Sequence, residues 1–353
     1  MAVDTFGITK LYDTATSGRE WFNTWGNGTP RILYPTTNYM FPPVDGVNRD
    51  PSDSEFLLLR WGNKQTLFIH GNGVATWKAS ENQAPPNNAT LGIYIIDYPT
   101  SGLSSPWLIK NESSPARKTW TNVEMTCYVK ILEKVTGNDG NFRLAARSDH
   151  YNIQNCRCDG LGYDFQMETG PTTTTGARLG TEIIHDVYDQ YSKHGSAPTP
   201  STTNINQISH TNMGTLSRFQ SGISYLEIGK WYGMKFVCRT KTASNTVQLE
   251  GYLDKVNGAN GGGWNKVLQY VSNGVDGGVF TGTSKTDLEG YWGFTGGCGN
   301  EFALDTSKFV RTPQTGSYNP VRLTSAFSCY VRSDNVRTMQ LKNFSIREVD
   351  PLP

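Results

Sequence analysis

The chain has 353 residues with 32 Lys+Arg against 31 Asp+Glu, so it is nearly neutral and has no basic block. That balance gives no electrostatic basis for binding nucleic acid or an anionic membrane. No apolar stretch reaches the roughly 18 residues of a spanning helix, the longest runs, such as Phe56–Leu59 and Ile93–Ile96, being strand-sized, so no membrane insertion is expected. Only 18% of residues are charged, aromatics reach 12%, and there are 37 glycines. This mix supplies strands from Tyr, Trp and Thr and turns from Gly and Asn.

In chain order, the start MAVDTFG has neither a basic nor an apolar leader region. The composition leads us to expect a secreted or cell-surface protein whose signal peptide has been removed. The segment 34–53 is a loop rich in Pro, Asn and Asp. Period-2 alternation then predicts a strand over 123–131, with Val123, Met125, Cys127, Val129 and Ile131 facing one way. Its alternates Glu124, Thr126, Tyr128 and Lys130 would form a solvated face. Residues 170–176 and 196–215 read as loops rich in Thr, Ser and Pro. The segment 234–240 alternates with Met234, Phe236 and Cys238 inward, and 247–254 with Val247, Leu249 and Leu253 inward. Two more strands are expected over 327–331 and 339–346. Turn signals at 138–140, 159–160, 255–263 and 273–278 separate these runs. Many short strands with Gly and Asn turns predict an all-β sandwich or barrel, and nothing splits 1–353 into more than a single domain.

Cys127, Cys238 and Cys329 lie inside strand-like runs, where a free buried thiol is ordinary. Cys156, Cys158 and Cys298 lie in loops, where oxidation is more natural, and six cysteines leave fifteen connectivities open.

The reactive side chains concentrate between 143 and 194. Period 2 puts Arg143 and Arg147 on one face of a strand, and Tyr163 and Phe165 on one face of the next. The run TEIIHDVYDQYSKH carries Glu182, His185, Tyr188, Tyr191 and Lys193. These types suit β-elimination on a uronic acid. A cation neutralises the sugar carboxylate and the enolate that develops from it. A base of near-neutral pKa takes the C5 proton, and an acid protonates the O4 leaving group. Arg147, His185 and Tyr188 or Tyr191 fit those roles. Arg143, His150, Tyr163, Glu182 and Lys193 would line the site and bind substrate.

The segments FGITKLYDT (6–14), GREWF (18–22), WTNVEMTCYVKI (120–131), the stretch over 146–189 and the ending YVRSDNVR…FSIREVDP (330–351) resemble a concanavalin A-like family. The resemblance extends to the polysaccharide lyases built on that fold, such as alginate and glucuronan lyases. It implies a two-sheet antiparallel β-jelly-roll sandwich with long loops, acting on a polysaccharide. It also implies an Arg, a Gln or Asn, a His and a Tyr on one sheet. Arg147 and His185 match in type and order. The Gln-x-His pair of alginate lyases is not found, since Ile183-Ile184-His185 stands there, and Gly290–Phe294 only loosely replaces the late Tyr-bearing strand.

Other chemistries have less behind them. A glycoside hydrolase on this fold needs paired carboxylates, for which Glu182 with Asp186 or Asp164 are the candidates. His150, Cys156, Cys158 and His185 lack the usual zinc spacing. No cofactor is required, but a structural Ca²⁺ is an option at Asp45, Asp50 and Asp53 or at Asn138 and Asp139. No nucleophile elbow or phosphate loop occurs. A lectin-like or adhesive surface protein is the non-enzymatic alternative.

Overall fold

A computed structural model describes residues 2–26, 28–35, 56–62, 65–79, 91–97, 120–137, 140–148, 162–169, 177–182, 225–244, 246–272, 309–311, 318–320 and 328–353. Alternating apolar side chains can be buried only by pairing strands into a sheet and laying one sheet on another. The described residues do this in two antiparallel sheets. The larger has nine strands. It runs β13 (Asn265–Ser272), β12 (Thr246–Asp254), β11 (Tyr232–Lys241), β7 (Val123–Lys134), β17 (Val336–Glu348), β5 (Val74–Ala79), β4 (Gln65–Ile69) and β2 (Arg31–Pro35), with β1 (Glu20–Phe22) also paired to β17. The smaller has six: β10 (Ala177–Glu182), β9 (Gly162–Glu168), β8 (Asn141–Ser148), β16 (Ser328–Asp334), β6 (Leu91–Asp97) and β3 (Phe56–Gly62). A separate hairpin joins β14 (Phe309–Arg311) to β15 (Tyr318–Pro320).

The core lies between the sheets. Val123, Met125, Cys127, Val129 and Ile131 enter it from β7, and Phe142, Leu144, Ala146, Phe165 and Met167 face them from the smaller sheet. The inward positions expected on β11 and β12 do the same. The sheets approach so closely that a Cβ on Gly251 would stand 2.6 Å from the Phe165 ring. Cys127, Cys238 and Cys329 are free and buried, as expected, and burial pushes the Cys127 thiol up. The other three cysteines, the segment 36–53 and the loops 170–176 and 196–215 lie outside the described residues. No helix of the described residues is long and apolar enough to cross a membrane.

The face of β7 expected to be solvated is closed over Glu124, Thr126 and Tyr128, each at most 1% exposed, and only Lys130 at its end is half-buried. The N-terminal segment crosses this face. Leu11 and Tyr12 donate their backbone N–H groups to the Glu124 carboxylate, and the Tyr12 hydroxyl donates to Glu250 Oε2 at 2.6 Å. Lys235 and Arg347 pair with the same Glu124 from the neighbouring strands β11 and β17. Strand alternation reports which side a residue faces, not what lies above it.

Candidate functional site

On the smaller sheet the residues alternating with the core are polar. β9 turns Tyr163, Phe165 and Met167 inward, so Asp164, Gln166 and Glu168 stand on the face away from the larger sheet. β8 contributes Arg143 to that face, and β16 contributes Tyr330, Arg332 and Asp334. Backbone register aligns them in rows across the strands. Gln166, Arg143 and Arg332 form one row, and Glu168, Asn141 and Asp334 the next. Arg178 of β10 is the backbone partner of Gln166 on the other side.

Charge alternates through this face. Arg143 donates from Nη1 to Asp164 Oδ2 (3.4 Å) and from Nη2 to Asp334 Oδ2 (2.8 Å). Arg332 forks the same Asp334, with Nε at 3.1 Å and Nη2 at 2.9 Å from Oδ1. Two carboxylates from the two flanking strands thus hold Arg143 in one orientation, which costs a rotamer-rich side chain its freedom before any ligand arrives. Gln166 differs from its neighbours. It is fully buried, and among the described residues neither its Nε2 nor its Oε1 has a hydrogen-bond partner. A buried amide left in that state costs about 1–3 kcal/mol, and such a group needs an explanation, of which a ligand is one.

The expected site residues fall in three groups. Arg143 and Asp164 stand together on this face. Arg147 and Tyr163 do not. Tyr163 is turned into the core. Arg147 does not share a face with Arg143, contrary to the period-2 reading, because the β8–β16 register shifts between Ser328 and Tyr330 and Arg147 adopts a left-handed φ of 50°. A bulge of this kind re-aims a side chain. The guanidinium is fully buried and ties β8 to the larger sheet, donating to Thr121 O, Asn122 Oδ1 (3.2 Å) and Thr240 Oγ1 (2.9 Å). Arg147→Ala is therefore expected to lower stability by about 2–3 kcal/mol, read as a lower denaturant midpoint at unchanged slope. An unchanged midpoint would show that these contacts hold nothing. Glu182 is the last residue of β10, paired with Gly162. His150, His185, Tyr188, Tyr191 and Lys193 lie outside the described residues, as do the calcium candidates Asp45, Asp50, Asp53, Asn138 and Asp139, the zinc candidates Cys156 and Cys158, and Asp186. Among the described residues no group of three or more His, Cys, Asp or Glu side chains is placed to hold a metal.

Sequence reasoning passed over Gln166, Arg332 and Asp334. The signal for Gln166 was present in GYDFQME, whose alternation puts Asp, Gln and Glu together once Tyr163 and Phe165 are read as core.

No family model matches the chain, and no curated protein does. Among solved structures, the chain is similar to a protein of unknown function from Shewanella oneidensis MR-1 at 12% identity and a TM-score of 0.26, covering 95% of this chain and 90% of that one. It is also similar to an endoglucanase I complexed with cellobiose, at 11% identity and a TM-score of 0.29, covering 87% and 79%. Overlaps this slight identify neither a family nor an activity.

Proposed function

We propose that the polar face of the six-stranded sheet takes a saccharide chain and that the protein is a polysaccharide lyase cleaving a uronate-containing polymer by β-elimination. The observation that supports this is Gln166, a buried, unpartnered amide set in a row with Arg143 and Arg332. It supplies the residue type that the lyase resemblance implies and that the sequence around His185 lacks. In this reading the Gln166 amide and Arg143 hold the sugar carboxylate, with Arg143 already oriented by Asp164 and Asp334. Preorganised donors of this kind stabilise the charge that develops when C5 loses its proton. His185 takes that proton, a C4–C5 double bond forms, the C4–O4 bond breaks, and Tyr188 or Tyr191 protonates the departing oxygen. We assign the carboxylate contact to Arg143 instead of Arg147, whose guanidinium is committed to the larger sheet.

A second reading, inverting glycoside hydrolysis, is favoured by Glu168 and Asp334. They flank Asn141 in one row, two strands apart. Neighbouring strands are ~4.8 Å apart, so the two backbones stand ~10 Å apart, near the upper end of the separation inverting enzymes use. One assay separates the readings. A panel of acidic and neutral polysaccharides is incubated with the protein and followed by ultraviolet absorbance and by reducing ends. We expect an unsaturated, absorbing product from an acidic polymer. New reducing ends without absorbance would replace the lyase with the hydrolase. Binding without any product would leave a lectin-like protein.

A further inference from the structure

The opposite side of the sandwich carries a second arrangement that the proposed chemistry does not use. On the outward face of the nine-stranded sheet, away from the N-terminal segment, one cross-strand row runs through Lys130 of β7, Gln340 of β17, Thr76 of β5 and Phe68 of β4. Trp231, immediately before β11, extends it beyond Lys130, since Tyr232 pairs with Val129. All five are half-buried, while their strand neighbours Tyr232, Val129, Leu341, Ala75 and Leu67 enter the core. Four strand spacings of ~4.8 Å make the row roughly 19 Å long.

The row has a ring at each end and polar groups between. Lys342, one step along β17, lies over both Trp231 (4.8 Å to the ring centroid) and Tyr128 (5.4 Å). Phe68 meets His70 edge-on at 4.7 Å, and His70 Nε2 is 2.7 Å from Thr76 Oγ1. Among the described residues, neither Lys130 nor Gln340 has a side-chain hydrogen bond or ion pair. An open cation, an amide and a hydroxyl between aromatic rings match a sugar polymer that bears carboxylates. The rings pack on apolar C–H faces, and Lys130 and Lys342 complement the negative charge.

We infer that this row is a second, non-catalytic binding surface for an acidic polysaccharide chain, laid across β11, β7, β17, β5 and β4. The choice of polymer rests on the lyase reading above, but binding is measured without turnover. The parent protein and two variants, Lys130→Glu and Trp231→Ala, are run by affinity electrophoresis through gels containing a polyuronate or a neutral glucan. Each variant is first checked for an unchanged thermal midpoint. We expect retardation of the parent in the polyuronate gel only, weakening as salt rises, and at least a tenfold weaker apparent affinity in Lys130→Glu. Cleavage of a short oligouronide stays the same in both variants. If Trp231→Ala does not fold, Lys130→Glu alone decides, because that side chain has no hydrogen-bond or ion-pair partner among the described residues to lose. Equal retardation of Lys130→Glu and parent, or equal retardation in the neutral gel, overturns the inference. A protein that cleaves no polymer but is retarded in this Lys130-dependent way keeps the surface and loses the lyase. One that cleaves but is not retarded does the reverse.

Discussion

Replacing Glu124 by alanine is expected to destabilise the protein by about 3–5 kcal/mol, a large share of the margin of a typical folded domain. Glu124 is fully buried and serves three attachments together. It pairs with Lys235 Nζ at 2.8 Å, pairs with Arg347, and accepts the backbone N–H groups of Leu11 and Tyr12. Lys235 and Arg347 are themselves only 1% and 2% exposed at the side chain. Removing the carboxylate leaves two buried cations without their shared ion-pair partner and strips Leu11 and Tyr12 of the acceptor for their backbone N–H groups. Burial alone would raise the Glu124 pKa, but Lys235 and Arg347 more than offset it and hold the group below the ordinary carboxylate range. The sign follows from linkage. The folded state binds fewer protons than the unfolded chain, so this stabilisation is complete above the unfolded carboxylate pKa of about 4.3 and is lost as pH falls through the lower folded value. Thermal midpoints of the parent and of Glu124→Gln should therefore converge on acidification. Curves that stay parallel through the acid limb would show that Glu124 does not carry this dependence.

The second large effect separates function from stability at one residue. Gln166→Met is expected to lower kcat/KM on an acidic polymer by about 100-fold, the usual size for one lost transition-state donor. The same change should leave the thermal midpoint of the free protein unchanged or higher, because it replaces an unpartnered buried amide with an apolar side chain of similar length. Sites that store unmet hydrogen bonds for a ligand commonly trade stability for activity in this way. His185→Ala should lose about 10²–10⁴-fold, as for a general base. A Gln166→Met protein that melts earlier and still cleaves at the parent rate would make the amide a structural element and remove the main support for the site.

Parts of the candidate site were legible and parts were not. Arg143 and Asp164 could be placed among polar strand positions from alternation alone. Gln166 lies within reach of the same argument, but Tyr163 is expected to bind substrate, whereas it faces the core with Phe165. Asp334 and Arg332 were out of reach. They meet Arg143 only because β16 pairs with β8, and strands so far apart in the chain carry no local sign of their register.

What the sequence determined by itself is the all-β class and the inward face of β7, β11 and β12. A period of two against an apolar core leaves each strand one choice of face. Val123 to Ile131, Met234 to Cys238 and Val247 to Leu253 all enter the core as their alternation required. The tertiary structure decided where that period breaks and what covers the other face. One left-handed residue with a register shift beside it, Arg147 in β8 or Asn343 in β17, reverses the side that following residues occupy. That is why Arg147 spans the sandwich while Arg143 stands on the polar face, and why Phe344 joins Met339 and Leu341 in the core despite its odd spacing. Burial of Glu124 depends on an N-terminal segment more than 100 positions away, joined to it by hydrogen bonds between Leu11 or Tyr12 and Glu124 (|i−j| of 113 and 112). Such contacts are set by the folding of the whole chain, and no local pattern encodes them.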